Sequence, residues 1–334
     1  MIMTSTIMRQ EALEVPDLIS RQLNENKALC QTLAKTLRSL NPSFIVTVGR
    51  GTSDHAGVFA KYLIEIELGI QVSSSAPSVS SIYHKKINLE NAVVIFISQS
   101  GRSPDILDQV KMAKSSGAYC IALINDETSP IVDLVDTVIP LKAGEEKAVA
   151  ATKSYLLTLS ALLQLVSYWG GNIKLESALN TLPSLMNMVV NSPQQLKEKD
   201  FLSMKHCVVL GRGFGYAIAL EIALKLKEVC GIHAEAFSSA EFLHGPVTLA
   251  EQKLSIINIP IKDESYSSHK ELIDNIAARG AELISMQQIN EKIHPRIAAL
   301  TFLQRFYLDV EKIAISRGVN PDTPPGLKKV TKTI

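Results

Sequence analysis

Ala92 to Asp108, AVVIFISQSGRSPDILD, is the stretch that decides the fold. Val93 to Ile97 is an unbroken apolar run of mainly β-branched residues, the pattern of a strand buried on both faces of a parallel sheet. The run stops at Ser98, Gln99, Ser100, Gly101, Arg102 and Ser103, and Pro104 with Asp105 then opens a helix predicted to run to Ser115. The first amides of a helix lack internal partners and carry about half a positive charge, so hydroxyls gathered around them make a socket for a phosphate. An ordinary N-cap needs only one serine, whereas three fall within six residues here.

Outward from this stretch the same design repeats. Phe44 to Val48 is an apolar run followed by Gly49, Arg50, Gly51, Thr52, Ser53, Asp54 and His55 and a helical pattern to Leu68. Further strands are expected at residues 71–76, 119–124 and 137–141, and a long helix from Ala148 to Trp169. Strands alternating with helices specify right-handed crossovers and a parallel sheet covered on both faces. Gly49-Arg50-Gly51 recurs as Gly211-Arg212-Gly213 after His206 to Leu210, an offset of 162 residues that also carries Val93–Ile97 onto Ser255–Ile259. Two copies of one α/β unit follow. The second copy leaves its strand through Pro260, Ile261 and Lys262, which offers no hydroxyl socket, so one phosphate site per chain is expected. Thr52 and Ser53 leave a strand of the first sheet and are placed to join Ser98, Gln99, Ser100 and Ser103 around one ligand, since strand C-termini converge on a crevice. Neither glycine turn has the G-x-G-x-x-G spacing, which argues against a nicotinamide cofactor.

Composition narrows the classes. The 334 residues carry 34 basic and 33 acidic side chains, leaving no general attraction to nucleic acid or anionic membrane. Cys30, Cys120, Cys207 and Cys230 show no CxxC spacing and read as reduced and mostly buried. No paired His and Cys spacing suggests a metal, and no apolar segment reaches spanning length; a soluble cytoplasmic protein is expected.

The chemistry is expected in Glu221 to His244, EIALKLKEVCGIHAEAFSSAEFLH. Glu221, Lys225 and Glu228 share one helix face at spacings of four and three. Most such spacings are solvated ion-pair stripes, but the rest of this helix is apolar nearly all round, so the charged residues are expected to face a cleft. His244, before Gly245 and Pro246, sits on a turn; His55, His206 and His233 read as structural.

These stretches resemble the sugar isomerase (SIS) domain family, and within it the isomerase half of glutamine-dependent glucosamine-6-phosphate synthase. GRGTSDHA at Gly49, ISQSGRSPD at Ile97, VAATKS at Val149, the block from Leu210 to Pro246 and PPGLKK at Pro324 carry the likeness. It implies two tandem SIS domains, each a flavodoxin-like α/β/α sandwich: a helical arm over residues 1–41, a first domain over 42–172, a helical connector over 173–199, a second domain over 200–319 and a C-terminal tail over 320–334. It implies a homodimer with shared active sites, a small-molecule amino-sugar phosphate as ligand and no cofactor. Thr52, Ser53, Ser98, Gln99, Ser100 and Ser103 match sugar-phosphate binders, and Val149 and Ala151 fall at the sugar. Glu228 matches the residue that moves a proton between C1 and C2, His244 the ring-opening histidine supplied by the neighbouring subunit, and Lys329 the lysine at the sugar carbonyl, with Lys225 beside Glu228.

The departures are Arg50 for a small residue, Arg102 for an acid and Ala151 for a serine. Only about forty residues precede the first strand, which reads as a chain with no glutaminase. The resemblance then implies a stand-alone glucosamine-6-phosphate deaminase. The alternatives are a fructosamine-6-phosphate deglycase, a plain ketose–aldose phosphate isomerase and, outside enzymes, a sugar-phosphate sensor. The prolines at 321, 324 and 325 and Gly326 predict an extended lid over Asn320 to Lys329.

Overall fold

A computed structural model describes residues 5–329; the last five positions of the C-terminal tail expected over 320–334 lie outside the described residues. In chain order the helices are α1 (Ile7–Glu25), α2 (Lys27–Leu40), α3 (Thr52–Leu68), α4 (Ser78–Ser81), α5 (Pro104–Ser115), α6 (Lys153–Trp169), α7 (Ile173–Val190), α8 (Phe214–Cys230), α9 (Ser239–Phe242), α10 (Tyr266–Ala278) and α11 (Pro295–Ser316). The strands are β1 (Phe44–Val48), β2 (Val72–Ser74), β3 (Ala92–Ser98), β4 (Tyr119–Ile124), β5 (Thr137–Pro140), β6 (His206–Gly211), β7 (His233–Ser238), β8 (Ser255–Asn258) and β9 (Glu282–Ser285). They form two compact units. One holds Asp17–Glu146, Lys153–Asn180 and the segment from Lys328; the other holds the chain to Pro16, Lys147–Thr152 and Thr181–Leu327.

The first unit is built on a parallel sheet in the order β2-β1-β3-β4-β5, the flavodoxin-like order whose ligands sit beyond the strand C-termini. All seven residues of β3 are buried because the strand is covered twice. Val46, Val94, Phe96 and Ala122 pack with Ile106 and Val110 of α5 on one face, while Ile45 and Ile95 are buried on the other, where α3 lies against β1 and α6. The second unit repeats the design as β7-β6-β8-β9, all parallel. Val208, Leu210 and Ile256 pack under α10, and α8 and α11 pack together.

The internal repeat survives at the level of single torsions. Gly51 caps α3 at φ 54°, ψ −124°, and Gly213 caps α8 at φ 53°, ψ −123°, a left-handed setting that glycine adopts without steric cost.

Three readings need correction. Helix α6 begins at Lys153, not Ala148. The amides of Lys147 and Ala148 donate to the Glu11 carboxylate and that of Val149 to the Asp322 carbonyl, and these bonds take the place of helical ones. The tail is a run of turns rather than an extended lid: the Asp322 amide donates to the Asn320 side chain at 3.0 Å and the Leu327 amide to the Pro324 carbonyl at 3.3 Å. A strand, β7, lies inside the Glu221 to His244 stretch, where only a helix and the turn at His244 were expected, and β9, α10 and α11 had no assignment. Strands β7 and β9 are the sheet's edges, with Ala234 their one buried residue and the rest half-buried or exposed, so they lack the apolar run that marks a central strand. Helix α7 contains Pro183 within its span.

Candidate active site

In the first unit, β1 and β3 are neighbours in register, Val48 opposite Phe96. The turns that follow them therefore leave the same sheet edge, which brings Thr52 and Ser53 to the edge that carries Ser98 to Ser103. The serine turn is held rigidly. The Ser98 Oγ accepts from the Gly101 amide at 3.0 Å, and the Gln99 carbonyl accepts from the amides of Asn125 and Asp126 beyond β4. Gly101 sits at φ 61°, and a side chain there would strike Ser129 and Ile131. Ser103 takes the N-cap position of α5 in extended geometry, yet its hydroxyl makes no cap bond to the helix, so the capping explanation of this serine fails. Ser100 Oγ accepts a long bond from the Arg102 amide at 3.4 Å.

The two arginines that depart from the family pattern are each tied to an acid. Arg50 Nε lies 3.0 Å from Asp105 Oδ2, linking the turn after β1 to the first turn of α5, and Asp105 is buried. Arg102 pairs with Asp126 at 2.8 Å and donates to Thr128. Bonds from Thr128 and then Arg102 hold the Asp126 carboxyl below its usual range. A cavity of about 290 Å³ on the α5 face of this sheet is walled mainly by apolar side chains, Phe44, Val46, Val94, Phe96 and Met112 among them, with Ser73, Ser74 and Ser75 at its border; none of Ser98 to Ser103 lines it.

At the start of α6, the Glu146 side chain is fully buried and accepts from the Ser154 amide at 3.1 Å, the Ser154 hydroxyl at 2.8 Å and Lys329 Nζ at 3.0 Å. Lys329 is thus docked in the first unit. Val149 and Ala151 group with the second unit, both half-buried.

The second unit carries the charged helix face. Lys225 Nζ lies 3.1 Å from Glu221 Oε1 and 2.6 Å from Glu228 Oε2; the Lys225, Glu221 and Glu228 side chains are 1%, 0% and 21% exposed. The cleft expected to bathe all three is corrected: Glu221 and Lys225 lie in the core, and Glu228 alone of the three reaches solvent. The Tyr307 hydroxyl of α11 donates to Glu221 at 3.2 Å. Burial pulls the Lys225 pKa down, and Glu221 and Glu228 more than reverse it, so the ammonium stays charged. His244 is exposed on the turn after α9, its amide bonded to the Glu241 carbonyl.

Three partners escaped the sequence reading: Glu146, Tyr307 and His269. The first lies three residues before Val149 in a motif already singled out, and that position was its one available signal. His269 is buried between Ser239 Oγ and Asn258 Oδ1, at 2.9 and 2.8 Å, and burial and then the Arg212 charge depress its pKa to about 4. All four cysteines are free and buried, and burial raises their thiols to about 12, which disqualifies them as nucleophiles near neutrality. Among the described residues no group of three or more metal-ligating side chains is assembled and no helix is long and apolar enough to cross a membrane.

Comparison with known proteins meets this geometry. The isomerizing glutamine–fructose-6-phosphate aminotransferase of Pyrococcus horikoshii is 28% identical over 96% of this chain and 57% of its own length; the chain spans a little over half the length of such curated relatives. A solved structure from Silicibacter pomeroyi DSS-3, provisionally named a phosphosugar isomerase, is 35% identical, with a TM-score of 0.88 over 95% of this chain and all of that one. The glucosamine-6-phosphate deaminase of Thermotoga maritima superposes with a TM-score of 0.73 over 97% of this chain and all of its own at 22% identity, a likeness of fold alone. The SIS domain model matches residues 41–168 and again 200–300, one match on each parallel sheet, and the chain therefore belongs to the SIS domain family.

Proposed function

We propose that this protein is a glucosamine-6-phosphate deaminase, converting glucosamine 6-phosphate and water to fructose 6-phosphate and ammonia, and that it works as a cytoplasmic homodimer. The observation that carries the reading is the 2.6 Å contact of Lys225 with Glu228. It keeps a partly exposed carboxylate on a buried, charged lysine, which suits a base that must take a proton from carbon. Thr52, Ser53, Ser98, Gln99, Ser100 and Ser103 bind the phosphate and the adjoining chain of the sugar, and Val149 and Ala151 contact its hydroxyls. The exposed His244 of a second copy moves protons between O5 and O1 to open the ring, imidazole being the side chain that titrates near neutrality. Glu228 then carries the C2 proton to C1, leaving a fructose imine that water hydrolyses. Lys329 stands at the carbonyl, and Lys225, in contact with Glu228, steadies the negative charge that develops there.

The aminotransferase relatives support amino-sugar phosphate chemistry, and hydrolysis of the imine needs water but no amide donor. The test is to supply glucosamine 6-phosphate and follow ammonia and fructose 6-phosphate together, expecting equal amounts. Isomerisation of an unaminated hexose phosphate with no ammonia from glucosamine 6-phosphate would replace the deaminase reading with a ketose–aldose isomerase.

A further inference from the structure

Glu146 has no place in the reaction above, yet it is a fully buried carboxylate, and a buried charge persists only where partners replace its water. Ser154, in the first turn of α6, donates its amide to Oε1 and its hydroxyl to Oε2, and the helix N-terminus adds a favourable field. Those bonds fix the carboxylate from the scaffold side. A further contact, Lys329 Nζ on Oε2 at 3.0 Å, comes from the last described residue, which arrives after the turns of residues 320–327. Ser154 is part of a long helix; Lys329 belongs to the C-terminal tail, and its side chain is 27% exposed.

We propose that Glu146 is the positioning residue for Lys329: with Ser154 it forms the dock that closes the C-terminal segment and aims its lysine. The part of this that concerns catalysis rests on the deaminase reading; the dock itself does not. A long ammonium stem left in water samples many rotamers, and a displacement of about 1 Å at a reacting group costs on the order of 100-fold in rate. Fixing Lys329 by an ion pair removes that loss without Glu146 touching the sugar.

Two experiments test it on the full chain. In the first, lysines are acetylated with a trace of acetic anhydride and quantified by peptide mass spectrometry, with the exposed neighbour Lys328 as internal reference. Lys329 should react about 10-fold more slowly than Lys328, and Glu146→Gln should erase the difference; a Lys329 that stays protected in Glu146→Gln overturns the dock. If that core variant fails to fold, Lys329→Met leaves the Glu146–Ser154 bonds intact and should speed tryptic cleavage after Lys328 by about 10-fold; an unchanged rate overturns the dock equally. The second experiment is a kinetic cycle on ammonia release. Glu146→Gln should lower kcat by about 10- to 100-fold with KM changed by less than about threefold, and it should add no further loss to Lys329→Ala. Losses that multiply would show that Glu146 acts independently of Lys329 and overturn the positioning role. Wild-type protein that releases no ammonia would instead overturn the deaminase reading, and the labelling result would then decide the dock by itself.

Discussion

Removing the ammonium of Lys225 from helix α8 should be strongly destabilising. The side chain is 1% exposed and sits between Glu221, fully buried, and Glu228, 21% exposed. In Lys225→Met the apolar volume is kept but Glu221 is left as a buried carboxylate with its lysine gone. Stripping one partner from a buried pair costs about 3–5 kcal/mol. The Tyr307 bond to Glu221 at 3.2 Å offsets about 1 kcal/mol of this, which leaves roughly 2–4 kcal/mol. Glu228 contributes little because it can turn to solvent. The double variant Glu221→Gln/Lys225→Met removes both charges and should recover most of the loss. The pH dependence has a definite sign. Without Lys225 burial penalises the charged Glu221 carboxylate, which protonation relieves, so the deficit shrinks as pH falls. Urea unfolding followed by circular dichroism, at neutral pH and again near pH 5, measures all of this. A single variant within about 1 kcal/mol of wild type, or a double variant no better than the single, would refute the buried-pair reasoning.

Three other outcomes are expected. Ser100→Ala should weaken substrate binding by about 1.5–3 kcal/mol, one hydrogen bond to an anion, and so raise KM while leaving the unfolding curve in place; unchanged kinetics would remove Ser100 from the socket. Mixing Glu228→Gln with His244→Ala chains should restore activity, because a mixed dimer has one site that draws both groups intact, and no recovery after verified subunit exchange would place both groups in one chain. His269 has a folded pKa of about 4 against an ordinary 6.5, so its contribution, roughly 3 kcal/mol, is fully present above about pH 6.5 and is lost as pH falls toward 4. A titration by NMR that finds its imidazole charging near its ordinary value would contradict this.

What was legible in the sequence follows from where each signal lives. Strand β3 announced itself because a doubly covered strand must be apolar at every position, and the serine turn because hydroxyls crowded at a helix start have few other uses. The edge strands β7 and β9 were silent: with one side unpaired and few residues fully buried, they carry no apolar run. The start of α6 was misplaced for a different reason. Residues 148–152 have good helical composition, and the Glu11 carboxylate and the Asp322 carbonyl, distant in sequence, claim the Ala148 and Val149 amides that a helix would use. The turns at residues 320–327 depend on local bonds among Asn320, Asp322 and Thr323 that proline and glycine content alone does not distinguish from an extended lid.

The sequence by itself determined the α/β class, the duplication, the central strands, the serine turn and the shared face of Glu221, Lys225 and Glu228, because periodicity and glycine placement are local properties of the chain. Tertiary structure alone decided which of those three charges meets water, that Tyr307 supports Glu221, that Glu146 receives Lys329 across 183 positions, and that His269 is locked neutral between Ser239 and Asn258. Each of these depends on desolvation and on partners from other elements. Burial of a charge is a property of what surrounds it, and no spacing along the chain records it.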